Sequence, residues 1–305
     1  MDNLCIIIPL YNEEKVITAF YNELIKYIDE GTIILFIDDG SEDNTLNILD
    51  SICLIDKRVK VLSLSRNFGH QKAIIAGMTY ATGDVFIIMD GDLQHPPFLI
   101  PQLLKKMDEG FDIASAKRNS YKHYSIIKKI TSFLFYKLLN FISNYKIEPQ
   151  VADFRAFNKN VYNAVLKFSN ENNIFLRGIF SWIGFNQTYV KYEINERKLG
   201  FSKYSMKKMI SLSLDGFTSF SVKPLRIVIY LGIVFSFIGF LFGIYALIEF
   251  YKGNTIQGWT SLIIVSIFIG GIQILLLGVV GEYIGKMFLE TKKRPIFLIK
   301  KQINF

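Results

Sequence analysis

Cysteine is scarce in this chain: Cys5 and Cys53 are the two in 305 residues. A disulfide-stapled secreted scaffold needs several pairs, and these two lack metal-ligand spacing, so both classes are excluded and a reducing compartment is expected. The stretch MDNLCIIIPLYNEE lacks the basic region and small-residue cleavage site of a signal peptide, so residues 1 to about 200 are expected to stay on the side where they are made. Missing as well are the G-x-x-x-x-G-K-[ST] loop and the G-x-G-x-x-G turn after the first strand, the common backbone cradles for nucleotide phosphates. Disorder is excluded by a hydrophobic content of 50%.

Charge is absent from two long runs. Ile227 to Ile248 and Thr260 to Gly281 are 22 residues each without Asp, Glu, Lys or Arg. At about 1.5 Å per residue each helix reaches about 33 Å, enough for a hydrocarbon core of about 30 Å. Both read as membrane spans, the alternative being buried core helices. The connector from Glu249 to Trp259 holds one Lys and one Glu, whereas Lys and Arg flank the outer ends of both runs, so both termini are expected in the cytoplasm. Residues 203–224 mix Lys with Met, Ile, Leu and Phe, as an interfacial segment on the inner leaflet would; an ordinary surface helix is the other reading. The net charge of +8 lies beside the spans: residues 1–190 carry 20 basic and 21 acidic groups, residues 191–226 carry 8 and 3, and residues 282–305 carry 6 and 2. That placement suits anionic lipid and removes nucleic acid as a partner.

The first 200 residues alternate strand and helix. Apolar runs at Leu4–Leu10, Ile33–Ile37, Val59–Leu64 and Asp84–Met89 are each followed by a helical pattern. Asn12 is the expected N-cap of the first helix, with Val16, Phe20 and Leu24 on one face. Strands without polar alternation argue for a parallel sheet covered on both faces, an α/β fold. Ligands bind outside the carboxyl ends of such strands, where the polar clusters fall. At one of these ends Asp90 and Asp92 flank Gly91, two carboxylates within reach of one hard cation, with a glycine to let backbone approach a ligand. Asp38 and Asp39, in isolation, suit a simple turn with an N-cap.

Together IPLYNEE (8–14), IDDGSEDNT (37–45), SRNFGHQKAIIAGMTYATGD (65–84), MDGDLQHPP (89–97), DFRAF (153–157) and RKLGFSKYS (197–205), with SFSVKPLR and two spans after them, resemble the polyprenyl-phosphate glycosyltransferases of glycosyltransferase family 2. The resemblance covers essentially the whole chain. It implies a Rossmann-like GT-A domain over residues 1–200, an interfacial segment at 201–226, a transmembrane hairpin at 227–285 (spans 227–248 and 260–281) and a basic cytoplasmic tail at 286–305. It also implies a nucleotide-sugar donor, a polyprenyl phosphate acceptor, Mg²⁺ or Mn²⁺, and association into homo-oligomers through the membrane segments.

Roles follow by position. Pro9, Tyr11, Glu13, Phe36 and Asp38 match the base and ribose site, and Asp90, Gly91, Asp92 and Gln94 the metal and diphosphate site. Arg118, Arg197 and Lys203 match cationic positions around the donor diphosphate and acceptor phosphate, with Arg197 and Lys203 on the acceptor side. Asp92, Asp153 and Arg197 stand nearest the chemistry, Asp153 as an acceptor-side positioning group or weak base. A lipid phosphate is already anionic, so direct displacement with inversion needs positioning and charge screening more than a strong base. The chain departs from the pattern at His95, where many bactoprenol glucosyltransferases have an acidic residue, at Phe98 in place of a Glu, and at Lys122 or His123 in place of a second arginine. His70, in the NFGHQK loop, suits a structural hydrogen bond better than catalysis. Glucose from UDP-glucose is the leading expectation; mannose from GDP-mannose or a UDP-aminosugar is the near alternative. A processive synthase is disfavoured by the lack of a Q-x-x-R-W motif. A degenerate lipid-carrier scaffold would have little need for so many polar site residues.

Overall fold

The computed structural model describes residues 3–118, 148, 151–172, 174–192, 223–252 and 258–305. Eight strands form one sheet: β1 (Leu4–Leu10), β2 (Ile33–Asp38), β3 (Val59–Leu64), β4 (Val85–Ile88), β5 (Ile113–Arg118), β6 (Val151–Asn158), β7 (Gln187–Tyr192) and β8 (Ile299–Ile303). Their order is β7-β5-β6-β4-β1-β2-β3-β8. The four apolar runs make the parallel centre, β4-β1-β2-β3. β6 lies antiparallel to both β4 and β5, and β8 antiparallel to β3, so the whole sheet is mixed.

The helices α1 (Ile17–Leu24), α2 (Thr45–Ile55), α3 (His70–Tyr80), α4 (Ile100–Asp108), α5 (Lys159–Leu166) and α6 (Leu176–Trp182) cover the sheet. Successive strand side chains point to opposite faces, and the core divides accordingly. Ile6, Ile8 and Leu10 of β1 join Ile34 and Phe36 of β2 beneath α1, α2 and α4, while Cys5 and Ile7 join Leu35 and Ile37 beneath α3, α5 and α6. Burial on both faces is why these strands show no polar alternation. It also holds the Cys5 thiol up at about 12, far from thiolate chemistry at neutral pH.

One expectation is corrected. α1 begins at Ile17, with Val16 rather than Asn12 as its N-cap and no side-chain cap bond; Asn12 adopts a left-handed φ of 53° instead. The tail at 286–305 belongs to structure at both ends. Two long helices, α7 (Lys223–Tyr251) and α8 (Trp259–Thr291), follow the sheet domain, so α8 takes up the first residues of the tail. Beyond it Ile296 is buried in the core with Ile174, Leu176, Ile179 and Phe180, and β8 pairs with β3.

The return is stitched by Ser65 N–H to the Leu298 carbonyl (2.8 Å), Lys301 Nζ to Asp50 (2.8 Å), and Asn304 Nδ2 to the carbonyls of Cys53 (3.0 Å) and Val59 (2.9 Å). Phe235 of α7 meets the edge of Phe268 of α8. Both helices present apolar side chains outward, among them Phe237, Phe240, Leu262 and Ile274. Among the described residues, Phe268–Thr291 is long and apolar enough to cross a membrane, and Gly232–Leu241 forms a shorter apolar stretch. The expected interfacial segment, up to residue 222, lies outside the described residues.

Candidate active site

Polar side chains gather at the carboxyl ends of β1, β2 and β4, and on β6 beside them. At the β1 and β2 ends two loops are laced together. Asn12 N–H donates to Ser41 Oγ (3.0 Å) and Glu42 N–H to Asn12 Oδ1 (2.9 Å); Glu13 N–H donates to Thr45 Oγ1 (2.9 Å) and Glu14 N–H to Asp43 Oδ2 (3.2 Å). These cross-loop bonds take the polar groups that would otherwise cap α1, which explains its late start. Tyr11 and Glu13 sit half-buried on this lacing, and Pro9 is buried at the end of β1.

Asp38 is 1% exposed; its Oδ1 accepts Ser41 N–H (3.0 Å) and its Oδ2 accepts the Ser63 hydroxyl (2.8 Å). Asp39 accepts Phe68 N–H (2.7 Å) and Gly69 N–H (2.9 Å), and burial raises its pKa against those two bonds. Gly40, at φ 67°, fits because a Cβ there would stand 2.4 Å from the Arg66 carbonyl carbon. Phe36 and Asp38, expected at the base and ribose, stand at the end of the same strand. Phe36 is wholly inside the core, and Asp38 is buried and held in a turn.

The β4 end differs. Asp90 N–H donates to Nδ1 of His95 (3.0 Å), which fixes that imidazole as its Nε2–H form, since an N–H donor requires a lone pair. His95 is 2% exposed and stacks on Phe154. Its place in the sequence motif is thus a structural one, holding the Asp90–Asp92 turn against the sheet. Gly91 is buried, and a Cβ there would lie 2.4 Å from Leu10 Cδ2 and 3.2 Å from Ile8 Cγ2. The space its missing side chain opens is filled by the core, not left for a ligand. Leu93 takes φ 59°, and Gln94 N–H returns to Asp92 Oδ1 (3.0 Å).

Asp90 Oδ1 is buried without a hydrogen bond, 3.4 Å from His70 Nε2. A buried carboxylate oxygen left unmatched, with Asp92 in the same turn, fits a divalent cation. Among the described residues no three His, Cys, Asp or Glu side chains gather to hold a metal.

On β6, Asp153 is gripped by two arginines. Arg177, in the first turn of α6, donates through Nε to Oδ1 (3.0 Å) and through Nη2 to Oδ2 (2.9 Å); Arg155 Nη2 lies 3.4 Å from Oδ1. Burial would raise the Asp153 carboxyl, but Arg177, then Arg155 and His70, override it and hold it well below the usual carboxylate range. Arg155, 4% exposed and over the face of Phe180 at 4.2 Å, is pulled down by burial to about 10 and remains a cation at neutral pH. His70 Nε2 also stands 3.9 Å from Asp153 Oδ2. One chain of ionisable side chains therefore runs Arg177, Asp153, His70, Asp90.

Of the residues expected from sequence, the structure brings Asp90, Asp92, Gln94 and Asp153 into one region. Arg118 ends β5; Arg197 and Lys203 lie outside the described residues, as do Lys122 and His123. Two members of the cluster were not among the expected site residues. His70 carried a signal in its NFGHQK motif; Arg177 had none beyond being an arginine within an apolar helix.

Comparison with known proteins gives the following. Residues 5–166 match the family described as Glycosyl transferase family 2, and residues 223–287 match the GtrB C-terminal hairpin. The chain is 43% identical over 300 residues to an uncharacterized glycosyltransferase, YkcC, of Bacillus subtilis (97% of this chain, 93% of the relative). It is 41% identical over 305 residues to the prophage bactoprenol glucosyl transferase homolog of Escherichia coli (98% of each). To the bactoprenol glucosyl transferase of Shigella phage SfX it is 40% identical over 306 residues (98% and 99%). Among solved structures, glucosyl-3-phosphoglycerate synthase of Mycobacterium tuberculosis aligns at 15% identity over 71% of this chain and 78% of that one, with a TM-score of 0.47.

Proposed function

The chain belongs to glycosyl transferase family 2, and from that premise we propose that it transfers glucose from UDP-glucose to a polyprenyl phosphate, with inversion, at the cytoplasmic face of a membrane. The observation that carries this reading is the match to bactoprenol glucosyl transferases over nearly the full length of both partners, catalytic domain and hairpin region together. It is an enzyme with a GT-A-like α/β domain, and its site geometry suits the reaction.

The Asp90–Asp92 turn would hold Mg²⁺ or Mn²⁺, which when bound supplies Lewis-acid screening of the departing diphosphate. The protein's own groups do the rest. His95 fixes the turn from beneath, and the laced loops at β1 and β2 form a rigid floor for the nucleotide through Tyr11 and Glu13. Arg118, Arg197 and Lys203 complete the phosphate contacts in this reading. Asp153, with both oxygens engaged by guanidinium groups, is a poor proton acceptor, and an anionic acceptor phosphate needs none.

The fold also bears on membrane topology. In this reading the chain, which leaves the sheet after β7 and rejoins it at β8, crosses the bilayer an even number of times. A crossing by α8 therefore calls for one by α7, and the outward apolar side chains of both support that pair. Their 29 and 33 residues, about 44 and 50 Å at about 1.5 Å each, exceed a hydrocarbon core of about 30 Å and leave turns for the interface.

The test is a donor panel. Purified full-length protein in detergent, given polyprenyl phosphate and Mg²⁺ with UDP-glucose, UDP-galactose, UDP-N-acetylglucosamine or GDP-mannose, is expected to yield the mass of polyprenyl-phosphate glucose from the first alone. Product from GDP-mannose or the aminosugar in its place would overturn the sugar assignment, and no product from any donor would overturn the acceptor.

A further inference from the structure

Resting on the reading of α8 as a membrane span, we propose that its cytoplasmic end, residues 282–294, is a docking surface for anionic lipid headgroups that seats the catalytic sheet on the inner leaflet. Three observations converge on this surface.

The first is the pattern of exposure. Leu277, Val280, Ile284, Met287 and Phe288 recur at helical spacing on one face of α8, and all are exposed, Met287 at 66% and Phe288 at 57%. One apolar stripe therefore runs out of the uncharged stretch and continues about 10 Å past Gly281, at about 1.5 Å per residue. Glu282, Lys286 and Glu290 share the opposite face, where Lys286 Nζ lies 3.9 Å from Glu282 Oε1. The end of α8 is thus amphipathic, unlike the run before it, and such a helix face suits the boundary between headgroup and acyl chain.

The second is charge. Lys292, Lys293 and Arg294 follow α8 in succession, all exposed, and no acidic side chain occurs from Thr291 to Phe305. Lys292 Nζ stands 4.1 Å from the centre of the Phe288 ring, so a cation caps the apolar stripe. Lys293 adopts a left-handed φ of 47° and turns the chain out of the helix, which spreads the three cations over a bend. Apolar side chains bordered by cations match acyl chains bordered by anionic headgroups.

The third is attachment. The polar face of α8 holds the loop before α6: Asn172 N–H donates to Glu290 Oε1 (2.9 Å) and Asn172 Nδ2 to the Leu289 carbonyl (3.0 Å). Ile296, just past Arg294, is buried in the same core cluster as Leu176, Ile179 and Phe180 of α6, and β8 then joins the edge of the sheet. One face of the helix end is fixed to the catalytic domain, and the apolar face with its cations is left for the leaflet.

Full-length protein reconstituted in phosphatidylcholine vesicles tests the surface, with spin-labelled phosphatidylglycerol and spin-labelled phosphatidylcholine as probes. Wild type is expected to hold the anionic probe in its lipid shell about threefold over the zwitterionic one at about 0.01 M salt, and to lose most of that preference at about 1 M, where charges are screened within about 3 Å. Replacing the three cations together, Lys292→Gln, Lys293→Gln and Arg294→Gln, is expected to bring the preference down at least about twofold. Lys292→Arg with Lys293→Arg keeps the charge and is expected to keep the preference. In vesicles that contain phosphatidylglycerol, transfer by the glutamine variant is expected to fall about twofold or more, with transfer in detergent unchanged, since only the seat on the leaflet is lost.

Wild type that holds both probes equally would overturn the surface and leave a second copy of the chain or an acidic protein as its occupant. A glutamine variant with the full preference would overturn it too, because the cations responsible would then lie elsewhere. A wild-type preference that survives high salt would do so without recourse to any variant. Protein that leaves the vesicles on an alkaline wash would instead overturn the membrane-spanning reading, and this surface with it.

Discussion

Two carboxylate clusters stand at neighbouring strand ends of the same sheet, and they are built for opposite purposes. At β2, Asp38 and Asp39 have every oxygen hydrogen-bonded to the protein, to Ser41, Ser63, Phe68 and Gly69. At β4 and β6, Asp90 keeps a buried oxygen without a hydrogen bond, Asp92 is half-exposed, and Asp153 is paired with two arginines. Residue type and topological position are nearly the same in both. The difference lies in whether the carboxylate hydrogen-bonding capacity is satisfied within the fold or, as at Asp90 Oδ1, left open. The first cluster pins three loops together, and the second is the receptor in the function proposed above.

The contrast predicts that substitutions in the two clusters separate activity from stability. The largest effect is expected from Asp92→Asn. In the function proposed above Asp92 would hold the cation, and its loss is expected to remove several kcal/mol of charge screening from the transition state, about 10³-fold in turnover, with the thermal midpoint unchanged because the side chain is half-exposed. Transfer assayed across a Mg²⁺ and Mn²⁺ titration, beside a melting curve, checks both halves. Full turnover in that variant would erase the distinction between the clusters.

The reverse pattern is expected of Asp39→Ala. It strands the buried-side N–H groups of Phe68 and Gly69 and costs about 3 kcal/mol of stability, with kcat per folded molecule within about threefold of wild type. Chemical denaturation with activity measured on the folded fraction decides it; a kinetic defect without a stability defect would move Asp39 into the receptor.

How much of this was legible beforehand follows the same division. The parallel centre was readable because burial on both faces leaves unbroken apolar runs such as CIIIPL and IILFI, and the β4 motif because D-G-D-L-Q-H is dense in polar residues at a strand end. The antiparallel strands β5 and β6, and β8, were not. β8 reads IKKQI, half lysine and glutamine as an edge strand can be, and nothing local in it announces pairing with β3, whose partner residues lie more than 200 positions earlier. Arg177 was invisible for the same reason: its place in the cluster comes from Asp153, a contact set by tertiary structure and carried by no motif. Asp38 and Asp39 show the converse, a motif whose residues are plain in the sequence while their occupation by the fold is not.

The smallest expected effect concerns a carboxylate remote from both clusters. Asp56, after α2, accepts from Arg58 through Nη2 (2.8 Å) and from the Tyr21 hydroxyl (2.9 Å), and the Arg58 bonds hold its pKa down at about 2. A carboxyl whose folded pKa lies below its unfolded value of about 3.9 binds fewer protons when folded. Its contribution is therefore complete above about pH 4 and is lost as pH falls towards 2. With solvent screening allowed for, that contribution is about 1 kcal/mol. Asp56→Asn is expected to lower the thermal midpoint slightly at pH 6, to converge with wild type as the pH approaches 2, and to leave kcat alone throughout. A gap that widened on acidification would mean that Asp56 gains protons on folding, contrary to its pairing with Arg58. A change in kcat at pH 6 would mean that satisfied carboxylates also report on the site, and the distinction between pin and receptor would then have to be drawn on some ground other than an open carboxylate oxygen.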